Sequence, residues 1–316
     1  MHIKVFACDL DGTLARDGVV APETWSMLRR ARRAGLTLLL VTGRRLETFA
    51  ADGPFAELFE AIVAEDGAAV YCPRNDTVIL PFGRLEPGIV KRLEGLGIPL
   101  ERGMAIAATW VPHDTAVLHV LRETGGGATI EYNKGAVMVL PPGATKGTGL
   151  QEALHELGYS PRNVLACGDA ENDRSLFEIA ELAVAVSNAT PEIKQLSHAV
   201  LPQENGEAVC SLLEGLLEGR MPLHRIRPER RLLLGHRLDE TPVHLSPFIL
   251  LDQNLGLAGA SASGKSWMAG LITEELLRLG YQVCLFARSP AGPAKARRCA
   301  RRSRRRWGIA TKNSTV

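Results

Sequence analysis

No apolar run in this 316-residue chain approaches the roughly 18 to 20 residues that span a bilayer. The N-terminus, Met1-His2-Ile3-Lys4, leads straight into a strand-like segment and not into a signal peptide. The expectation is a cytoplasmic protein with no membrane partner. Cysteine pairing is a second absence. Cys8, Cys72, Cys167, Cys210, Cys284 and Cys299 are scattered without a CxxC spacing, which disfavours a disulfide framework or a zinc site and favours reduced, buried thiols. The eight histidines have no metal-ligand spacing either. A third lack is local, since residues 288–316 contain no acidic side chain but ten basic ones. The rest of the chain then holds 27 basic against 35 acidic residues, a net of −8 beneath an overall +2.

What is present is an ordinary globular composition, 46% hydrophobic, in a length that suits about two domains. Lys4 to Cys8 and Leu36 to Val41 are short apolar runs that read as buried parallel strands. Between them, Trp25, Leu28 and Ala31 recur at helical spacing, with Pro22 and Glu23 at the start, Arg32 and Arg33 at the end, and Gly35 as the stop. Further strands are expected at Ala61–Ala64, Val164–Cys167 and Leu182–Val186, with helices at Gly147–Leu157 and Arg174–Ala180. This alternation predicts an α/β fold with a doubly wound, Rossmann-like parallel sheet. The stretch from Pro81 to Leu140 breaks the rhythm and reads as a small α+β insertion, with helices at Pro87–Leu96 and Asp114–Glu123 and a hairpin near Asn133–Gly135. The expected organisation is a core over residues 1–80 and 141–217, a cap over 81–140, a linker over 218–231, a partial third unit over 232–287 and a basic, disordered tail over 288–316.

Chemistry gathers at strand ends. Asp9-Leu10-Asp11-Gly12-Thr13-Leu14 follows the first strand, placing two carboxylates in the crevice where open α/β sheets bind ligands. A turn that merely caps a strand would use similar residues. Two such acids call for a hard cation, and Mg²⁺ lets a carboxylate approach an anionic phosphate. On this reading Asp9 attacks phosphorus and forms an aspartyl-phosphate, while Asp11 protonates the leaving group and later activates water. Thr42 and Gly43 offer a hydroxyl and loop amides to phosphate oxygens, and Arg44 and Arg45 stand where a helix would begin, a costly place for cations unless an anion binds there. Two solvated arginines are the alternative. Lys146 precedes a helix and is placed to neutralise nucleophile and phosphoryl group. Gly168-Asp169-Ala170-Glu171-Asn172-Asp173 brings more acid to the same sheet edge, with Asp169 completing a metal shell.

Together, Asp9-Leu10-Asp11-Gly12-Thr13, Thr42-Gly43-Arg44, Lys146 and Gly168–Asp173 resemble the four ordered motifs of the haloacid dehalogenase superfamily. The insertion, with Ala64-Glu65-Asp66-Gly67-Ala68 and Val186-Ser187-Asn188-Ala189, is similar to the Cof-like branch with a class IIB cap, over roughly residues 3–215. The resemblance implies an Mg²⁺-dependent phosphatase acting on a small phosphorylated metabolite, most plausibly a sugar phosphate; the alternatives are a phosphomutase, or a ligand-sensing module coupled to a nucleotide- or nucleic-acid-binding C-terminal unit. It makes Asp9 nucleophile and metal ligand, gives the metal a backbone carbonyl from Asp11, and assigns phosphate to Thr42 and Lys146. Asp169 becomes a ligand, Asp173 a ligand or its support, and Asn172 an orienting residue. Asp66 departs from the pattern, because the family often carries Asn there. Specificity is expected from the cap, with Arg102, Trp110, His113, Arg122, Tyr132 and Lys134 as candidates to face the crevice.

A second motif lies downstream. Gly259-Ala260-Ser261-Ala262-Ser263-Gly264-Lys265-Ser266 satisfies GxxxxGK[ST], between a strand-like Leu255–Ala258 and an amphipathic helix at Trp267–Leu279. Such a P-loop cradles nucleotide phosphates, with Lys265 on the β and γ positions and Ser266 on Mg²⁺, so ATP is a candidate ligand. Only 50 residues follow Ser266, and apolar periodicity stops after Ala287, so the expected unit is an incomplete ATPase-like domain. The basic tail reads either as a nucleic-acid-binding arm or as frameshift-like text of a GC-rich gene.

Overall fold

A computed structural model describes residues 3–49, 53–125, 127–133, 135–220, 232–245, 247, 255–281, 283–287 and 295–300. The described chain divides into two compact units, Ile3–Arg225 and a C-terminal unit from Ile226.

The larger unit is built on an eight-stranded sheet. Its strands are β1 (Val5–Cys8), β2 (Thr37–Val41), β3 (Ala61–Ala64), β4 (Ala69–Cys72), β5 (Thr77–Ile79), β10 (Val164–Gly168), β11 (Leu182–Ala185) and β12 (Ala199–Val200), ordered β12-β11-β10-β1-β2-β3-β4-β5. From β12 to β3 the pairing is parallel, and β4 and β5 extend the edge antiparallel. Apart from Thr37 at the start of β2, the strands from β11 to β3 are buried throughout, which is why they appear in the sequence as apolar runs. The chain moves outward from β1 through β2 to β3, then returns to the other side of β1 as β10. A crevice therefore opens beyond the carboxyl ends of β1, β2 and β10, at the point where strand order reverses.

Helices α1 (Pro22–Arg33), α5 (Lys146–Leu157), α6 (Arg174–Ile179) and α8 (Asn205–Leu217) cover the faces, with short α2 (Pro54–Leu58) and α7 (Pro191–Leu196) between strands. α1 has Pro at its first position, Glu23 in its first turn and arginines in its last, and buries Leu28 and Ala31. The insertion forms a four-stranded antiparallel sheet in the order β6-β7-β9-β8, from β6 (Glu101–Arg102), β7 (Ala107–Trp110), β8 (Thr129–Asn133) and β9 (Ala136–Leu140). Helices α3 (Pro87–Gly95) and α4 (Asp114–Thr124) pack on one face through Ile89, Leu93, Val117 and Val120. Cys8, Cys72 and Cys167 are free and buried, and Cys210 is partly so. None of the described helices is long and apolar enough to cross a membrane.

The C-terminal unit contains the hairpin β13 (Leu232–His236) with β14 (Pro242–Leu245), helix α9 (Lys265–Arg278), and an antiparallel pair, β15 (Val283–Ala287) with β16 (Lys295–Ala300). Leu232, Leu279 and Tyr281 make its small core. Two expectations are corrected. Leu255–Ala258 is not a strand, since no strand among the described residues pairs with it, and Leu255 and Leu257 stay exposed. Residues 295–300 of the basic tail are a strand, because β15 supplies the backbone partners that periodicity cannot reveal. Most of the expected linker (221–231), and residues 288–294 and 301–316 of the tail, lie outside the described residues.

Glycine permits the closest approach in the larger unit. Gly67, at φ +96°, would place a Cβ 1.9 Å from the Thr145 carbonyl oxygen, whereas Gly35, at φ +94°, has nothing within 4 Å. Gly67→Ala is therefore expected to cost about 3 kcal/mol or more, and Gly35→Ala about 1 kcal/mol from backbone strain alone. Urea denaturation of the two variants measures the difference, which isolates the clash.

Candidate active site

Five loops place the functional side chains at the sheet edge. Asp9 continues β1, and its amide donates to the Cys167 carbonyl of β10 at 3.0 Å. The Gly168–Asp173 loop leaves β10 beside it and returns on itself: Asp173 Oδ2 accepts the Asp169 amide at 2.8 Å and the Ala170 amide at 3.0 Å. Thr13 donates its hydroxyl to Asp169 Oδ1 at 2.9 Å. One oxygen each from Asp9, Asp169 and Asp173 lies within 4.8 Å of the others, and all three residues are buried.

Lys146 enters from the opposite side as the first residue of α5. Its Nζ donates to Asp9 Oδ1 and to Asp173 Oδ1, both at 2.6 Å, with the side chain 1% exposed. A lysine at a helix N-terminus opposes the helix dipole. The position is nonetheless held by a capping box, in which Thr148 N donates to Thr145 Oγ1 at 3.1 Å and Thr145 N to Thr148 Oγ1 at 2.9 Å. Burial disfavours the Lys146 charge, but Asp173, Asp9 and Asp66 outweigh it and raise the pKa, so the ammonium persists. For Asp9, burial dominates and raises the pKa well above the ordinary carboxylate range; Lys146 works against that shift, while Asp173 and Asp169 reinforce it. One lysine does not balance three clustered carboxylates, and a cation fits the deficit. The donor set is all oxygen, as Mg²⁺ requires. Asp173 has Oδ1 engaged by Lys146 and Oδ2 by two amides, which suits it to bracing the loop.

Thr42 ends β2, buried, with Oγ1 accepting the Arg44 amide at 3.2 Å. Gly43 runs so close to Asp66 that a Cβ would sit 3.1 Å from its Oδ1. Arg44 departs from expectation. Only a single 3₁₀ turn, Leu46–Thr48, follows it, too short for an appreciable dipole. Its guanidinium instead grips Asp11 at both oxygens, Nη2 to Oδ1 at 2.6 Å and Nε to Oδ2 at 2.7 Å. The Asp11 carboxylate is thus paired with Arg44 and is not one of the three clustered carboxylates. Arg45 lies 3.7 Å from Glu101 and donates to the Arg102 carbonyl at 3.3 Å.

Glu65 and Asp66, both at positive φ, join core to cap. The buried Glu65 carboxylate accepts the amides of Met104 and Ala105 in the insertion, each at 2.8 Å. Asp66 Oδ1 accepts Asn172 Nδ2 at 2.9 Å, while its Oδ2 and Asn172 Oδ1 are buried without a partner.

The cap closes a crevice of about 290 Å³ over Asp9, Asp11, Thr42 and Arg44, with Trp110 and Asn133 on its side. Of the expected cap residues, Trp110 lines this crevice; Tyr132 is exposed, Arg102 pairs with Glu94, His113 precedes α4, Arg122 is exposed on α4, and Lys134 lies outside the described residues. Sequence reasoning missed the two neighbours of Tyr132. Glu131 is close enough to Asp66 and Lys146 to feel both; burial is the main cause of its raised pKa. Asn133 lines the crevice with a buried, partnerless Oδ1. The alternation of a strand, applied to β8, is the signal that would have found them.

Residues 6–81 and 117–213 match the haloacid dehalogenase-like hydrolase family. The chain belongs to that family. A phosphoglycolate phosphatase of Methanothermobacter thermautotrophicus is 30% identical over 219 residues, covering 66% of this chain and 96% of that protein. Phosphoglycolate phosphatase 2 of Saccharolobus solfataricus is 31% identical over 162 residues, 50% of this chain and 68% of that one. Among solved structures, a Thermoplasma acidophilum protein superposes with a TM-score of 0.58 at 22% identity, over 68% of this chain and 98% of that chain. A haloacid dehalogenase subclass IIB sugar phosphatase does so with 0.56 at 18% identity, over 67% and 98%. These two likenesses concern the fold. The Cof-like reading of residues 3–215 agrees with the family match, and the P-loop lies beyond the matched residues.

Burial carries the Asp66 pKa from the ordinary 3.8 to about 6, against the opposing pull of Lys146 and Asn172. The folded state therefore holds this proton more tightly than the unfolded state does, and the stability linked to it is complete below about pH 4 and is lost as pH rises to about 6. Asp66→Asn is expected to gain on the parent across that window, by up to about 3 kcal/mol above pH 6. Urea midpoints at pH 4 and pH 8 in metal-free buffer check it.

Proposed function

We propose that the larger unit is an Mg²⁺-dependent phosphatase that removes the phosphoryl group from a small phosphorylated carboxylic acid through an aspartyl-phosphate on Asp9. The observation that carries this reading is Lys146, buried between Asp9 and Asp173, with Asp169 alongside and Asp9 lining the crevice. Lys146 neutralises the nucleophile and offers positive charge to the incoming phosphate. Thr42 and Gly43 orient the phosphoryl oxygens. Asp9 attacks phosphorus; the ester oxygen leaves with a proton from Asp11, and Asp11 then takes a proton from the water that cleaves the acyl-phosphate. Mg²⁺, held by Asp9, Asp169 and the Asp11 carbonyl with Asp173 in support, supplies the charge that allows an anionic nucleophile to meet an anionic ester. The small crevice, its two arginines and the phosphoglycolate phosphatases among the relatives support an acidic substrate over a sugar phosphate.

Asp9→Asn is expected to lower hydrolysis of 2-phosphoglycolate and p-nitrophenyl phosphate by at least about 1000-fold, because an amide cannot form the covalent intermediate. The parent is expected to lose activity in EDTA and regain it with Mg²⁺. Phosphate release, measured over a panel of acid and sugar phosphates, tests the assignment; activity in Asp9→Asn equal to the parent's would remove its basis.

The C-terminal unit carries a narrower reading, a nucleotide-phosphate loop at Gly259–Ser266. Gly264, at φ +86°, turns the chain directly into α9, as such loops do. Lys265 Nζ is folded back on the Gly259 carbonyl at 2.8 Å and on the Ala260 carbonyl. If the loop binds ATP, Mg·ATP raises the melting temperature of this unit and Lys265→Ala removes the shift; differential scanning calorimetry of the full chain reads both.

A further inference from the structure

We propose that Arg44 is a specificity switch: it holds the Asp11 carboxylate when no substrate is bound and passes to a carboxylate on the substrate, so that an acidic leaving group releases Asp11 for proton transfer and an uncharged one does not. The inference rests on the phosphatase reading above.

Three observations lead to it. Both Asp11 oxygens are occupied by one guanidinium, at 2.6 Å and 2.7 Å, which leaves neither directed at a leaving group. A planar guanidinium forks onto a carboxylate in this way regardless of which molecule supplies it. The pair is also poorly shielded, with Arg44 32% and Asp11 42% exposed in their side chains, and water weakens ion pairs at such exposure. A substrate carboxylate therefore needs only to match the bond it replaces. Finally, Arg44 lines the crevice itself, between Thr42 on the core and Trp110 and Asn133 on the cap. Gly18 leaves room for the guanidinium in its Asp11-bound position, since a Cβ there would come within 3.2 Å of Arg44 Nη2.

Arg45 is the rival cation in the same crevice. It faces Glu101 at 3.7 Å and the Arg102 carbonyl, and it engages no catalytic carboxylate. Loss of Arg45 would weaken an acidic substrate through charge alone. Loss of Arg44 would do so and also unlock Asp11, and that second effect has the opposite sign for a neutral substrate.

The test compares 2-phosphoglycolate with 2-hydroxyethyl phosphate, which keeps the size of the leaving group but lacks its charge, using the full chain with Mg²⁺. In Arg44→Gln, kcat/KM for phosphoglycolate is expected to fall by about 100-fold, as for a severed charge-assisted pair. For hydroxyethyl phosphate kcat is expected to rise by about threefold or more. Arg45→Gln is expected to lower the phosphoglycolate value without raising the other. The first-turnover burst of p-nitrophenolate from p-nitrophenyl phosphate, whose leaving group needs no proton, reports whether attack by Asp9 survives in each variant. Equal losses on both alkyl esters in Arg44→Gln, or equal turnover of the two by the parent, would overturn the inference and leave the phosphatase reading standing. A parent inactive on all three esters would remove that reading and this inference together.

Discussion

Buried charge at one sheet edge is the constraint to which the larger unit is built. Asp9, Asp169 and Asp173 come from two adjacent parallel strands and the turn after them, and Lys146 is driven between them from a helix start. Ions taken out of water are costly unless each is paired and hydrogen-bonded. Here the pairing is supplied in layers. Lys146 bonds two carboxylates, two loop amides bond a third oxygen, and Thr13 bonds Asp169. The backbone follows from that arrangement. Gly147 and Gly149 let α5 approach so closely that a Cβ would fall 2.3 Å from the Ser175 carbonyl oxygen in one case and 2.4 Å from Gly67 Cα in the other. Without that approach the Lys146 ammonium could not reach both partners.

Electrostatic incompleteness gives the site its direction. The carboxylates outnumber the lysine, and burial leaves Asp9 with a raised pKa until more positive charge arrives. A divalent cation would correct the imbalance and leave positive charge to attract a phosphate oxyanion. Arg44 belongs to a second, wetter layer, where it balances Asp11 instead of the inner cluster. The cap adds a third layer through Glu65, whose carboxylate is tied to the cap backbone at Met104 and Ala105 while its own chain stays in the core. Core and cap thus meet through the strained loop Glu65–Gly67, as they also do through Arg45.

Much of this was legible from residue order. Strands such as Ala61–Ala64 are buried on both faces, so their apolar runs mark them, and the acids that end β1 and β10 stand out because no core tolerates them. Elements that owe their existence to a partner were less legible. β4 and β5 form because β3 offers an edge, and β16 forms against β15 in a segment whose composition suggests no structure. The cap residues illustrate the same limit. Large or charged side chains drew attention at Tyr132 and Lys134, whereas the strand's alternation turned Glu131 and Asn133 towards the site.

What the sequence alone determined was the set of charged groups: a carboxylate after a buried strand, a lysine at a helix start and an acidic loop at the same sheet edge. Their spacing along the chain is dictated by the βα repeat, which returns every strand's carboxyl end to one side. What only the tertiary structure decided was which charges pair. Lys146 and Asp9 are 137 positions apart, Arg44 and Asp11 33, and Asn172 and Asp66 106. A Coulomb interaction depends on distance in space and on exclusion of water, and neither is written in the order of residues.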